Sequence, residues 1–162
     1  MRVVHCYGPM ARVSEPDLVR SLVACRLDWL VTVPATGLGR VYEYYANLGR
    51  CLYCTREEEA VAVASGLTLV GQRVVVMMQQ SGCGNCLNAV LSLSDAYGIY
   101  FPIIVVFRPI RDENPVQRVS VRKTYSFLRG LGPRTWPRRP GDSARQLHRL
   151  LRRRTRWIVT SA

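Results

Sequence analysis

Lysine is nearly missing: the 162 residues hold 22 Arg against the single Lys123. Histidine is scarce too, and neither His5 nor His148 neighbours a nucleophile pattern, so both read as structural or solvent-exposed. No run approaches eighteen consecutive apolar residues, which excludes a membrane-spanning helix. The opening stretch, MRVVHCYGPMARVSEPD, lacks the apolar core of a secretory signal. Six cysteines without such a signal fit a reducing, cytoplasmic setting and not a disulfide scaffold. Acids are few, 11 against 23 bases, yet 48% of residues are apolar, which excludes a mainly disordered chain.

The charge is unevenly placed. Residues 1–107 balance eight Arg with eight acids, so the whole net +12 falls in residues 108–162. There, fourteen Arg and Lys123 face only Asp112, Glu113 and Asp142. Genome composition explains an Arg bias as well as guanidinium chemistry does.

The length fits one domain spanning 1–162. Ser14-Glu15-Pro16-Asp17 reads as a capped helix start, followed by Leu18, Leu22 and Cys25 at helical spacing. Further helices are expected over 38–48, 56–70, 85–96, 117–130 and 142–153. Apolar runs predict strands at 29–33, 51–54, 74–78, 102–107 and 157–159. A Pro/Arg-rich loop is expected over 132–141. Strands alternate with helices and read as continuous apolar runs, which predicts an α/β domain of three layers: a mostly parallel sheet with helices on both faces. Ligands of such sheets sit beyond the carboxyl ends of the strands, so loops 34–40, 54–58, 79–85 and 108–116 are the places to look.

Four constellations could carry chemistry. Glu57, Glu58 and Glu59 open an otherwise apolar helix. Acids in a first turn commonly complement the helix dipole, and Glu58 is placed to reach back and cap Thr55. Gln80-Ser81-Gly82-Cys83-Gly84-Asn85 links an apolar strand to a helix; its glycines permit close backbone approach to a ligand, though plain turns use glycine too. Cys51-x-x-Cys54 and Cys83-x-x-Cys86 are two CxxC pairs, a conceivable zinc site, but the 28-residue gap is long for one and buried thiols are commoner. The basic end interleaves Arg134, Arg138, Arg139, Arg145, Arg149, Arg152, Arg153, Arg154 and Arg156 with Trp136 and Trp157. A nucleic-acid surface has that pattern, and so does a solvated helix face or a surface for an acidic partner.

Taken together, Asp28-Trp-Leu-Val-Thr-Val-Pro34, Thr55-Arg-Glu-Glu-Glu-Ala-Val-Ala-Val-Ala-Ser-Gly66, Met78-Gln-Gln-Ser-Gly-Cys-Gly-Asn85-Cys-Leu-Asn-Ala89 and Tyr100-Phe-Pro-Ile-Ile-Val-Val106 follow one pattern. It resembles the pyrimidine-binding (PYR) domain of thiamine-diphosphate-dependent 2-oxo acid decarboxylases, a lyase family with carboligase members. Within it the likeness is to sulfopyruvate decarboxylase alpha subunits and phosphonopyruvate decarboxylase N-terminal domains, over roughly residues 10–110. The family places a Glu nine residues before the Gly of an Ala-x-Gly helix end. The resemblance therefore implies that Glu57 is catalytic and bonds the aminopyrimidine ring of thiamine diphosphate. It implies cofactor contacts at Pro34, Gln80, Ser81, Gly82 and Asn85, and substrate contacts at Ala35, Thr36, Gln79, Cys83, Arg108 and Arg111. The family's usual Gln-Asn-Ser-Gly-Leu-Gly-Asn-Ser here carries Gln80, Cys83 and Cys86 in place of Asn, Leu and Ser, which implies altered substrate contacts.

The superfamily's diphosphate motif, Gly-Asp-Gly followed by a distant Asn, is missing, since Gly141-Asp142 is followed by Ser143. The resemblance thus implies a split enzyme. A separate PP-domain subunit would hold Mg2+ and the diphosphate, in a heterodimer or heterotetramer acting on a small 2-oxo acid. A non-catalytic PYR-like subunit and an Arg-rich nucleic-acid-binding protein are the competing readings.

Overall fold

The computed structural model describes residues 13–108, 114–136 and 143–161. Six strands form one sheet: β1 (Trp29–Thr32), β2 (Cys51–Tyr53), β3 (Val74–Gln79), β4 (Ile103–Phe107), β5 (Arg134–Thr135) and β6 (Trp157–Ser161). Their order is β2-β1-β3-β4-β6-β5, and all five pairings are parallel. Six α-helices cover it: α1 (Glu15–Ala24), α2 (Gly39–Asn47), α3 (Glu57–Leu69), α4 (Cys83–Ala89), α5 (Pro115–Arg129) and α6 (Ser143–Arg152).

Strand periodicity divides the core in two. In β3, Val74, Val76 and Met78 face one side, and Val75 and Met77 the other. In β4, Ile103, Val105 and Phe107 oppose Ile104 and Val106 in the same way. Each strand therefore needs apolar residues at successive positions, which is why these segments read as unbroken runs. The first face packs Ala60, Val61 and Ala64 of α3, Cys83 and Cys86 of α4, and Val121 and Leu128 of α5. The second packs Leu18 and Leu22 of α1, Val41 and Tyr45 of α2, and Leu147 of α6.

Most element boundaries agree with the sequence-based expectation to within two residues. Ser14 caps α1, its Oγ accepting the Asp17 N–H at 3.3 Å. Three details differ. The helix expected from 85 begins at Cys83, and after Ala89 it passes into a π-helical turn, Val90–Asp95. Its buried Ser94 hydroxyl meets Ser65 of α3 at 3.0 Å. The 132–141 loop holds a short strand, β5, because the Trp136 amide follows on to bond the Val159 carbonyl at 2.8 Å. Gly66 lies inside α3 and does not end it, since the helix runs on to Leu69.

The basic end is partly built into the fold. Trp136 and Trp157 are buried on opposite sides of the sheet, so neither supplies a surface stacking platform. Arg156 bonds the Phe101 and Ile99 carbonyls at 3.2 and 2.7 Å and pairs with Asp95 at 2.7 Å. Arg154 and Arg156 stack on Tyr100. His5, Arg138 and Arg139 lie outside the described residues, and His148 is exposed on α6. Among the described residues, no helix is long and apolar enough to cross a membrane.

Candidate functional site

Parallel strands present all their carboxyl ends on one edge. The chain order reverses between β1 and β3: β1 hands on to β2 outward, and every later strand adds on the other side of β1. Ligands of such sheets bind where the order reverses. The loops after β1, β2 and β3 meet at that edge, and they hold Pro34–Thr36, Thr55–Glu57 and Gln79–Asn85.

The three glutamates of α3 diverge. Arg56 is the N-cap, with extended backbone but no side-chain capping bond. Thr55 lies one residue farther out, so the acid that reaches it is four residues on. It is Glu59, not the expected Glu58, that accepts the Thr55 N–H at 2.9 Å and its hydroxyl at 3.0 Å. Those bonds hold the Glu59 carboxyl below its ordinary range. Glu58 turns to the Arg56 guanidinium.

Glu57 faces the β3–α4 loop. Its Oε2 accepts a hydrogen bond from Asn85 Nδ2 at 2.9 Å. The rest of the carboxyl lies against the Cα of Gly82, where a Cβ would overlap Oε1, Cδ and Cγ. A side chain at 82 and a carboxylate at this point are mutually exclusive, which explains the glycine physically. Oε1 has no hydrogen-bond partner among the described residues.

Beside this pair stands a cluster of carboxamides. Gln80 is fully buried; its Nε2 donates to Gln117 Oε1 at 2.7 Å and its Oε1 accepts the Arg108 N–H at 3.1 Å. Gln79 Nε2 donates to the same Gln117 Oε1 at 2.8 Å and to Ser81 Oγ at 3.2 Å. Gln117, on α5, was not singled out from the sequence. Nothing in its local pattern distinguishes it, and its partners are 37 and 38 residues away.

The β1 loop is pinned differently. The Ala35 N–H donates to Tyr42 Oη at 2.7 Å, and the Tyr42 hydroxyl donates back to the Ala35 carbonyl at 3.3 Å. Burial pushes the Tyr42 phenol pKa up, so it stays a donor at neutral pH. Gly37, at φ 84°, then turns the chain into α2. Tyr42, too, was missed; seven residues separate it from the loop it holds. Pro34 and Thr36 are exposed at this edge.

Two expected site residues fare otherwise. Cys83 is fully buried in the core beneath α4, so it packs and does not face a substrate. Arg111 lies outside the described residues. The CxxC pairs do not converge: Cys51 packs on the α1–α2–α6 side, whereas Cys54, Cys83 and Cys86 sit on the α3–α4–α5 side. Successive strand residues point to opposite faces, so Cys51 and Cys54, three residues apart, face opposite sides of the sheet and cannot both be gathered with α4. Burial, with the nearby Glu57 charge, pushes the Cys86 thiol up to about 12. Among the described residues no group of three or more His, Cys, Asp or Glu side chains is placed to hold a metal.

The residues fit an aminopyrimidine. A half-buried carboxylate, oriented by one amide and with one oxygen unbonded among the described residues, suits a ring nitrogen that exchanges a proton. The comparisons agree. Residues 15–117 match the family described as thiamine pyrophosphate enzyme, N-terminal TPP binding domain. The chain is similar to sulfopyruvate decarboxylase subunit alpha of Methanothermobacter thermautotrophicus, 33% identical over 76% of this chain and 78% of the relative. Subunits of that name from Methanococcus maripaludis and Methanocaldococcus jannaschii are 33% and 28% identical, over 59% and 62% of this chain and 58% and 61% of theirs. Sheet, loop geometry and sequence thus converge, and the chain belongs to the thiamine pyrophosphate enzymes, with residues 15–117 as its N-terminal, TPP-binding domain.

Proposed function

We propose that this chain is the pyrimidine-binding subunit of a split thiamine-diphosphate-dependent decarboxylase of a small 2-oxo acid, sulfopyruvate-like or phosphonopyruvate-like. The observation that carries the reading is the Glu57 carboxyl, oriented by Asn85 and seated on Gly82. Glu57 would hold an aminopyrimidine ring through Oε1, where its carboxyl could carry or release a proton, while Asn85 keeps Oε2 occupied. Gly82 sets the distance between helix and loop. Pro34 and Ser81, on the β1 and β3 loops, would contact the ring, and the buried Gln80 ties the β3 loop to Arg108 and Gln117. When bound, thiamine diphosphate supplies the electron sink that takes up the pair left as CO2 departs. The product is an aldehyde, or an acyloin where a second carbonyl intercepts. Arg108 and Arg111, following β4, are suited to an anionic substrate tail.

A partner subunit supported by the relatives' alpha-subunit names would supply Mg2+ and diphosphate contacts. Helix α3 supports this from its own chemistry. Ala60, Val61 and Ala64 are buried, yet beyond the first turn, where Glu58 and Glu59 carry charge, Ala62, Gly66 and Leu69, with Val70 at the C-cap, are uncharged and exposed. A helix apolar on all sides belongs in an interior. Gly66 and Gly84 have open space where a Cβ would stand, so nothing among the described residues demands glycine there. A neighbouring surface in close approach would.

The test is reconstitution with a PP-domain subunit, thiamine diphosphate and Mg2+, reading CO2 release from a panel of 2-oxo acids. Activity should need both chains, and Glu57→Gln should lower kcat by about 10²–10⁴. An active Glu57→Gln complex would sink the reading.

A further inference from the structure

The carboxamide cluster has a defined polarity. A backbone N–H can only donate, so the Arg108 N–H fixes Gln80 Oε1 as its acceptor. Gln80 must then present Nε2 to Gln117, and Gln117 must answer with Oε1. Gln79, which meets the same oxygen, is likewise turned to donate through Nε2. The amide directions of three glutamines thus follow from one main-chain group.

The relay ends with two groups unspent. Gln117 Nε2 carries two N–H donors and finds no acceptor among the described residues. Gln79 Oε1 likewise accepts nothing among them. Both side chains are half-buried, unlike fully buried Gln80. They stand at the carboxyl edge between β3 and β4, since Gln79 pairs with Val106, two residues before Arg108. Gln80 therefore links the β3 loop to the end of β4 and to α5, and Gln117, held by Gln79 and Gln80, keeps its Nε2 donors unspent among the described residues.

We infer that Gln117 is a specificity-determining residue, donating through Nε2 to an oxygen of the anionic group at the far end of the 2-oxo acid. This rests on the decarboxylase reading above. A neutral amide does what a second arginine here would not. It recognises an anion by donated hydrogen bonds without adding charge beside Arg108, and its direction is locked before substrate arrives. Two donors on one nitrogen suit a group with several equivalent oxygens, such as a sulfonate or phosphonate.

The alternative is a purely architectural Gln117, and two substitutions separate the two. Gln117→Glu keeps an acceptor for Gln79 and Gln80 but replaces the outward donors with negative charge. Gln117→Leu removes both functions. The readouts are kcat and KM of the two-subunit complex for sulfopyruvate and for pyruvate, which has no tail. Binding of 3-sulfopropanoate, which carries the tail without the reacting carbonyl, is measured by calorimetry on the same complex. Gln117→Glu should raise KM for sulfopyruvate and Kd for 3-sulfopropanoate by about tenfold or more, and should raise KM for tail-less pyruvate by a clearly smaller factor, so that the ratio of the two KM values changes. Gln117→Leu should impair both substrates. Unchanged 3-sulfopropanoate affinity in Gln117→Glu would overturn the inference, and so would a folded wild-type complex that does not bind this probe. Turnover judges the decarboxylase reading separately: a complex that binds the probe in a Gln117-dependent way but releases no CO2 from any 2-oxo acid would refute that reading and leave the anion site standing.

Discussion

Helices α3 and α6 lie on opposite faces of one sheet and finish their outer surfaces in opposite ways. Of α6, Leu147 is buried and Arg145, Arg149, Arg152 and Arg153 cover the outside or the helix end. Such a helix is complete in water: apolar stripe inward, guanidinium groups outward. α3 buries Ala60, Val61 and Ala64 and still exposes Ala62, Gly66, Leu69 and Val70. Of these two, the helix that carries Glu57 is the one whose outer face stays apolar and exposed among the described residues. On the proposed reading, the difference marks α3 as the face a partner would cover and sets the charged α6 apart from the Glu57 site.

Four variants would break or sharpen that contrast. The largest effect belongs to Gly82→Ala. The new Cβ overlaps the Glu57 carboxyl, and moving a reacting group by about 1 Å costs on the order of 10²-fold in rate. Decarboxylation kinetics of the two-subunit complex read it, with circular dichroism confirming the fold. Next comes Ala62→Glu, which places charge on the outer face of α3. Its expected signature is loss of the heteromer by analytical ultracentrifugation, with the melting temperature of the isolated chain unmoved. A complex of wild-type affinity would show that α3 faces solvent throughout.

Gly66→Ala should split by state. Helix propensity favours alanine by about 1 kcal/mol in a helix interior, and open space surrounds the position. Urea denaturation of the isolated chain should therefore show a gain, while complex affinity falls. A gain in both would mean that nothing approaches Gly66 closely. The smallest effect is expected from Arg152→Gln with Arg153→Gln on the finished face. Stability should change by no more than about 0.5 kcal/mol, as surface substitutions usually do, and complex activity should stay the same. An activity loss would give the arginines a functional part that the comparison denies them.

How much was legible along the chain follows from the range of each interaction. Glu57 could be found because its helix is local and its spacing to Gly66 lies within one element. Gly82 and Asn85 came with it, as parts of a short strand-to-helix loop. The capping partner was misassigned by one residue, Glu58 for Glu59, because helix starts are read to no better than a residue or two. Cys83 looked like a substrate residue in a loop, but α4 begins there and turns it into the core. The tryptophans of the basic end looked like surface aromatics until the sheet placed them on its two faces. Tyr42 and Gln117 had no local signature at all, since each acts on a loop from a different helix.

Amino-acid order alone determined the alternation of apolar strands and helices, hence a parallel sheet with both faces covered, and it marked the edge where chemistry belongs. Those are consequences of periodicity, of caps and of unbroken apolar runs, all of which act within a few residues. Only the tertiary structure decided which glutamate reaches back to Thr55, which tyrosine pins the β1 loop and how three glutamines orient one another. Such choices depend on contacts between segments tens of residues apart. There, direction and clearance are set by packing and are not written in any local pattern.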